Sequence, residues 1–342
     1  MTANRAAAEP RILTKVALQV AATLAFSAYS LHYAWELTSL MPESRPNLAE
    51  EIIWTESHSL RGRTLSVVDR LGSGCRIAKE YRLSKDKISS TYLASFHGGG
   101  TEVVSNLVQA LTGIATTNQV NYAPRRVDHT VLVESHYPRH GALEVEHYDN
   151  FRGTILLLRN PITAILSSFN DFYAQQNHFN GDVRAPVDDW IRYRDSAQFA
   201  AQVKLYERFV TFWVNKYMNT KREDLLIITY EGLTGGKGEI FTKQIGNFLD
   251  KSEGVNVIDP NSITCVWEKF VHDQWYQDGD TSAAATSFQE RTDDRPFTQD
   301  QLRVVSRMLG TLNQRFGYAD KQFSGIMNSY IQSLSGSFLA VG

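Results

Sequence analysis

The feature that most constrains the fold is a set of short, almost uninterrupted apolar segments rich in β-forming residues. They are TYLASF (91–96), TVLVES (130–135), TILLLR (154–159) and LLIITY (225–230). Apolar runs of this length are typical of parallel strands that are covered on both faces. Helices are predicted between and after them, from Thr101, from Pro161, over 196–219 and over 238–249. This alternation predicts an α/β domain with a P-loop-like parallel β-sheet flanked by helices on both faces.

The start of the chain predicts a membrane anchor ahead of that domain. Residues 16–35 carry no formal charge, and about 20 residues suffice to cross a bilayer as a helix. Arg5, Arg11 and Lys15 precede the span and mostly acidic residues follow it, which places the rest of the chain in a lumen. We predict a cytosolic tail (1–15), a transmembrane helix (16–35), a stem (36–85), a folded domain (86–320) and a C-terminal tail (321–342). A cleaved signal peptide and a buried or amphipathic helix are the alternatives for 16–35.

Charge and cysteine content narrow the possible partners. The formal net charge of -2 shows no basic excess, so a nucleic-acid partner is not expected. The 2 cysteines, Cys75 and Cys265, are too few for a disulfide scaffold. Both lie outside the predicted strands, and we predict that they form one disulfide in the lumen.

The segment LASFHGGGTEVVSNLVQALTGI (93–114) passes from a strand through three glycines into a helix. The backbone N–H groups of Gly98, Gly99 and Gly100 can converge on an anion there, and Thr101 adds a hydroxyl. No Lys-Ser/Thr pair follows the glycines, so this is not the ATPase motif. The segment predicts an anion site, with a tight turn that binds no ligand as the alternative.

A second predicted anion site lies in LLLRNPITAILSSFNDF (156–172). Arg159 leaves its strand at the carboxyl end, where ligands collect in parallel sheets. Its guanidinium fork suits a phosphate, and Ser167 adds a hydroxyl from the following helix. A capped strand end would look the same, but together with the glycine loop the segment predicts a second phosphate site for one ligand.

These motifs together resemble the PAPS-dependent sulfotransferase family, particularly its Golgi membrane type and the sulfotransferase domain of WSC-domain proteins. The glycine loop is similar to the family's 5′-phosphosulfate loop, and LLLRNPITAILSSFN resembles its 3′-phosphate motif. VESHYP (133–138) stands where the family has Lys-Thr-His, ITYEGL (228–233) where it has Arg-Tyr-Glu-Asp-Leu, and RPFTQDQ (295–301) resembles its C-terminal Phe-Thr segment. The resemblance covers about residues 75–320, with the motifs in the family's order.

The resemblance implies a function and a role for each matching residue. The 5′-phosphosulfate of PAPS would be held by Gly98, Gly99, Gly100 and Thr101, and the 3′-phosphate by Arg159 and Ser167. Tyr230 would lie near the adenine, and His136 would be the catalytic base, since a neutral imidazole can take a proton from an acceptor hydroxyl. The implied reaction is sulfuryl transfer from PAPS, released as PAP, without a metal. The implied acceptor is a carbohydrate hydroxyl, and the implied location is the Golgi membrane, as a single-pass type II protein with its domain in the lumen.

Four positions depart from the family pattern. Gly98 stands at the lysine of cytosolic members, Glu102 at a threonine, Val103 at an aromatic residue and Glu134 at a lysine. A desolvated carboxylate beside a phosphate would cost several kcal/mol, unless Glu102 instead faces its own helix end.

Two alternative functions follow. Because of these carboxylates and the missing lysine, a non-catalytic lumenal binding module with the same fold is the main alternative. A glycosyltransferase is a second, based on Asp278-Gly279-Asp280, a triplet that follows no predicted strand.

Overall fold

The computed structural model describes residues 82–118, 124–136, 138, 151–179, 183–218, 222–272 and 297–339. Over these ranges, no helix is both long and apolar enough to cross a membrane. The predicted cytosolic tail, the transmembrane helix and nearly all of the stem lie outside the described residues, as do Cys75 and the Asp278-Gly279-Asp280 triplet. Cys265 is described, and it is disulfide-bonded.

Five parallel strands form the sheet of the described domain. In chain order they are β1 (Thr91–Ser95), β2 (Thr116–Asn118), β3 (Leu132–Ser135), β4 (Gly153–Leu158) and β5 (Leu225–Thr229). Their spatial order is β2-β3-β1-β4-β5, with β1 at the centre. The predicted parallel sheet is confirmed. The sequence does not predict β2, because its residues Thr-Thr-Asn contain no apolar run.

Helices surround the sheet. In chain order, those of the described residues are α1 (Thr101–Thr112), α2 (Pro161–Gln176), α3 (Val187–Arg194), α4 (Ala197–Met218), α5 (Tyr230–Thr234), α6 (Gly238–Leu249), α7 (Pro260–Trp267), α8 (Gln299–Phe316) and α9 (Lys321–Leu339). Short 3-10 turns span Pro124–His129 and Arg222–Asp224, and a π-helical turn spans Glu268–His272. The predicted helix starts at Thr101, Pro161 and Gly238 are confirmed. Pro161 fits the first turn of α2, where Asn160 accepts the N–H of Ile162.

Each face of the sheet carries its own apolar core, because neighbouring strand residues point to opposite faces. On one face, Tyr92 and Leu156 pack with buried residues of α2, α3, α4, α8 and α9. On the other, Leu93 and Leu157 pack with buried residues of α1, α5, α6 and α7. The prediction of helices on both faces is confirmed. The double coverage also explains why the strands read as continuous apolar runs.

The end of the chain differs from the sequence-based prediction. Residues 321–342 are predicted as a tail, whereas the structure has α9 over Lys321–Leu339. Phe323, Met327 and Leu334 are 0% exposed and belong to the same core as α8. The domain therefore extends past residue 320. The apolar residues that α9 buries are separated in the sequence by short polar stretches.

The strand order creates a crevice at the carboxyl ends of β1 and β4. From β1 the chain continues through α1 to β2 at one edge of the sheet, and from β4 it continues to β5 at the other edge. Where connections diverge in this way, a parallel sheet leaves space for a ligand. The glycine loop follows β1, and Arg159 follows β4.

Truncating a side chain at the centre of the sheet should be costly. Leu156 is 0% exposed in β4, so Leu156→Ala should lower the free energy of unfolding by about 2–5 kcal/mol. Leu83 is 42% exposed and provides the matched control, for which a change within about 0.5 kcal/mol is expected. Urea unfolding of both variants measures the difference. Equal losses would contradict the assigned burial.

Candidate functional site

The glycine loop has backbone geometry that favours glycine. Gly98 and Gly100 have φ angles of 75° and 90°, in the left-handed region where other residues are strained. Gly100 is the N-cap of α1, and no side chain there bonds the helix end. The first turn of α1 therefore presents backbone N–H groups that a cap residue does not satisfy, which is the usual basis of anion binding at a helix N-terminus.

The same glycines also allow close packing within the protein. A Cβ atom on Gly98 would lie 2.6 Å from the backbone nitrogen of Ser168 and 2.7 Å from the carbonyl oxygen of Ala164, both in α2. A Cβ atom on Gly100 would collide with the ring of Tyr230. The loop thus lies directly against α2 and Tyr230, a reason for glycine that the sequence alone does not reveal.

Arg159 connects the two predicted anion motifs. Its side chain leaves the end of β4, and its Nη1 donates a 2.6 Å hydrogen bond to the carbonyl oxygen of Gly98. Its guanidinium carbon lies 4.3 Å from the centre of the Tyr230 ring, a cation–π contact. Arg159 is 8% exposed and Tyr230 is 7% exposed. The structure therefore brings together the glycine loop, Arg159 and Tyr230, which the sequence analysis places in one site.

Ser167 lies beside them on α2. Its Cβ atom would be 3.0 Å from a Cβ atom on Gly98, so it borders the glycine loop. Thr101 is the first residue of α1, directly after the loop. Both hydroxyl-bearing residues of the predicted donor site thus lie at the loop.

His136 follows β3 and faces the end of β1. Its Nδ1 lies 2.8 Å from the carbonyl oxygen of Ser95. A carbonyl can only accept, so Nδ1 carries the proton of this bond, and in the neutral ring Nε2 holds the lone pair. This is the tautomer that a general base acting through Nε2 requires.

A small cavity opens beside the glycine loop. The cavity is partly open to solvent, and its water-accessible volume is about 20 Å³. Its lining combines aromatic, aliphatic and polar side chains from the loop, the segment after β3, α2 and α4: Phe96, His97, His136, Ser168, Gln202, Leu205 and Phe209. His136 therefore faces a space where a small part of an acceptor molecule could lie.

Sequence reasoning overlooks His97 and Asp171, which also lie here. The Nε2 atom of His97 is 3.8 Å from the Oδ2 atom of Asp171 in α2. The rings of His97 and His136 are nearly perpendicular, with centroids 5.4 Å apart. The available signal was a histidine between a strand end and the glycines, but its partner depends on how α2 crosses the loop.

Glu134, at a position where the resemblance expects lysine, is turned towards α1. Ser105 of α1 donates a 2.6 Å hydrogen bond to its Oε1. Burial raises the pKa of the Glu134 carboxyl, the Ser105 bond lowers it, and the charge of Glu102 raises it. The net direction is upward, so the neutral acid is favoured more than in an unperturbed carboxyl group. Glu102 itself is exposed in the first turn of α1, where the helix dipole favours a carboxylate.

A partly buried network, not singled out in the sequence, holds the turn after β4. The Glu231 carboxylate accepts the backbone N–H of Asn160 at 2.8 Å and the hydroxyl of Tyr330 at 3.0 Å. Tyr206 donates to the carbonyl oxygen of Arg159 at 2.8 Å. Burial and then the Glu231 charge raise the pKa of Tyr330 well above its usual value, so it stays a hydrogen-bond donor.

Comparisons with known proteins give no family for this chain. No protein-family model matches it, and no curated protein matches its sequence. Among the described residues, no group of three or more His, Cys, Asp or Glu is placed to hold a metal ion. The arrangement of the glycine loop, Arg159, His136 and the cavity is therefore the basis for interpreting the site.

Replacing Glu134 should change how stability depends on pH. The pKa of Glu134 is raised above 4.5 in the folded state, so the folded chain binds this proton more tightly than the unfolded chain. The wild type should therefore lose stability relative to Glu134→Gln as pH rises from about 4.5 through the folded pKa, with no further change above it. Urea unfolding at a series of pH values measures this.

Glu239→Gln is a control of opposite sign. The hydrogen bond from Lys243 lowers the pKa of Glu239, so its stabilising effect should be lost as pH falls. Parallel pH profiles for the wild type and Glu134→Gln would contradict the raised pKa of Glu134.

Proposed function

We propose that this protein is a sulfotransferase that transfers a sulfuryl group from PAPS to an acceptor hydroxyl and releases PAP. The observation that supports this proposal is the bond between Arg159 and Gly98, which joins the glycine loop to the Arg159 side chain at the carboxyl edge of the sheet. A donor that carries phosphate at both its 3′ and 5′ positions needs two such groups close together. The resemblance to PAPS-dependent sulfotransferases names that donor.

The chain's residues fit this donor in the roles that the resemblance implies. Backbone N–H groups of Gly98, Gly100 and Thr101, with the Thr101 hydroxyl, would hold the 5′-phosphosulfate, whereas the Gly99 N–H donates a 2.8 Å hydrogen bond to the carbonyl oxygen of Phe96 within the loop. Arg159 and Ser167 would hold the 3′-phosphate. A guanidinium has five N–H donors, so a bond to Gly98 is compatible with phosphate contacts. Tyr230 is expected near the adenine, and its contact with Arg159 favours a second role in orienting the guanidinium.

Glu102 and Glu134, the acidic residues that differ from the family pattern, oppose binding of this donor less than the sequence alone indicates. Glu134 bonds Ser105, and its raised pKa favours the neutral acid. Glu102 is exposed and screened by solvent. Both features reduce the electrostatic cost of a phosphate at the start of α1.

His136 would act as the general base. Its Nδ1–H bond to Ser95 orients the ring, and Nε2 would accept the proton of the acceptor hydroxyl as the acceptor oxygen bonds to sulfur. PAPS supplies the activated sulfuryl group. Phe96 and Phe209 give the cavity apolar faces, and Gln202 and Ser168 give it polar groups, which would contact the part of the acceptor next to the reacting hydroxyl. We further propose a carbohydrate acceptor and a type II protein of the Golgi membrane with this domain in the lumen.

A non-catalytic binding module is the second candidate. Two carboxyl groups, those of Glu102 and Glu134, lie near the N-terminus of α1, and the loop has no lysine. Such a module would bind PAP weakly or not at all and would transfer no sulfuryl group. Incubating the full chain with labelled PAPS and a panel of glycans separates the two functions.

Removing the Arg159 guanidinium should weaken PAP binding. Arg159→Ala should cost about 1.5–3 kcal/mol of binding free energy, the range for hydrogen bonds to a charged group, and Ser167→Ala should cost less. Arg303→Ala is the control, because this exposed arginine pairs with Asp300 on α8. Isothermal titration calorimetry measures the affinities, and thermal melting verifies that the variants fold. Unchanged affinity in folded Arg159→Ala would exclude the proposed 3′-phosphate site.

Removing the base should abolish turnover and spare donor binding. His136→Ala should slow sulfuryl transfer by about 100- to 10,000-fold, the usual contribution of a general base. PAP affinity should stay close to that of the wild type, since His136 acts on the acceptor. His129→Ala is a matched control, because the Nδ1 of His129 also lies 2.8 Å from a backbone carbonyl, that of Ser84. If both variants kept full turnover, His136 would not be the base.

A further inference from the structure

The proposed donor site lacks the loop lysine of cytosolic family members, and His97 lies next to the position of that lysine. No lysine or arginine occurs in residues 93–114, and His97 is the residue immediately before the three glycines. It also lines the cavity that His136 faces. The question is whether this imidazole takes over a task that a loop lysine would perform.

The position of Asp171 supports a charged His97. Ser167 and Asp171 are one turn apart on α2, so the same helix face borders Gly98 and His97. The side chains of His97 and Asp171 are partly exposed, at 24% and 42%. A carboxylate at 3.8 Å favours the protonated imidazolium. An aspartate in an anion site would otherwise repel the ligand, whereas paired with His97 it holds a cation beside the glycines.

The two histidines have different surroundings, which favours different tasks. His97 faces a carboxylate, and His136 faces the Ser95 carbonyl. Two imidazolium ions with ring centroids 5.4 Å apart would repel each other, so protonation of His97 favours a neutral His136. Pairs of titratable groups with contrasting surroundings are typical of an acid and a base that work together.

We propose that His97, paired with Asp171, supplies a positive charge from within the glycine loop segment, which has no lysine or arginine of its own, and stabilises the leaving 5′-phosphate. This inference rests on the proposed sulfotransferase function. In the transfer, the acceptor oxygen–sulfur bond forms and the bond from sulfur to the phosphate oxygen breaks. His136 takes the acceptor's proton, and the His97 imidazolium stabilises the electron pair left on the phosphate oxygen.

Other charged groups around the loop also affect how PAP binding depends on pH. Asp171 faces His97 from α2, and His136 faces it from the segment after β3. Arg159 contacts the loop at the Gly98 carbonyl, and Glu102 and Glu134 lie at α1. The test therefore compares variants at fixed pH, so that these groups and the phosphates of PAP contribute equally to each measurement.

Calorimetry of PAP binding at pH 6 and pH 8 tests the proposal. At pH 6, His97→Asn should bind PAP roughly 10-fold or more weakly than the wild type, as expected for loss of a charged hydrogen-bond donor. His97→Lys should bind like the wild type at pH 6 and lose less affinity at pH 8, because lysine stays charged. PAP affinity should decrease as pH rises in both proteins, and in Asp171→Asn this decrease should occur at a lower pH than in the wild type. His178→Asn, at an exposed histidine just beyond α2, should follow the wild type at both pH values.

The outcomes separate this proposal from the proposed function. If the wild type binds PAP and His97→Asn binds it equally well at both pH values, His97 has no such role and the sulfotransferase proposal stands. If the wild type does not bind PAP, both proposals fail. Should His97→Asn not fold, weaker binding by His97→Lys than by the wild type at both pH values would still overturn the role of His97.

Discussion

The Arg159 guanidinium is a permanent positive charge held almost entirely inside the domain, at 8% exposure. A buried charge is stable only where its donors find acceptors. The Gly98 carbonyl and the face of Tyr230 meet this need, and both lie at the carboxyl edge of the sheet. The contact therefore fixes the loop after β1 relative to the turn after β4. Every residue assigned to the proposed donor site depends on that relation.

The segment after Arg159 is also held by residues from the C-terminal part of the domain. Glu231 accepts a bond from the Asn160 backbone and another from Tyr330 of α9, while the Asn160 amide donates to Ser333 at 3.0 Å. Asn160 and Tyr330 are buried whereas Glu231 is exposed, so loss of the Glu231 carboxylate would leave two buried donors without this acceptor. The last helix thus does more than cover the core. It connects the packing of α9 with the orientation of the crevice.

The sequence predicts most of the fold because its signals are local. Continuous apolar strands and helix periodicity locate β1, β3, β4, β5 and the helices between them, and the rule for parallel sheets brings Arg159 to the glycine loop. The rest depends on contacts between distant segments. His97 and Asp171 meet only because α2 crosses the loop, and Glu134 finds Ser105 only through the β3–α1 packing. Neither pair leaves a periodic pattern in the sequence.

Three carboxyl groups near the proposed donor site illustrate why residue type alone misleads. Glu134 is buried against α1 with a raised pKa, Asp171 faces an imidazole, and Glu102 is exposed in a helix turn that favours negative charge. Each position lowers the effective negative charge that an anion would meet. A proton on Glu134 makes the site more favourable for phosphate, and by linkage, binding of an anion there would favour proton uptake by this carboxyl. The acidic departures from the family pattern are therefore compatible with an anion site whose affinity rises as pH falls.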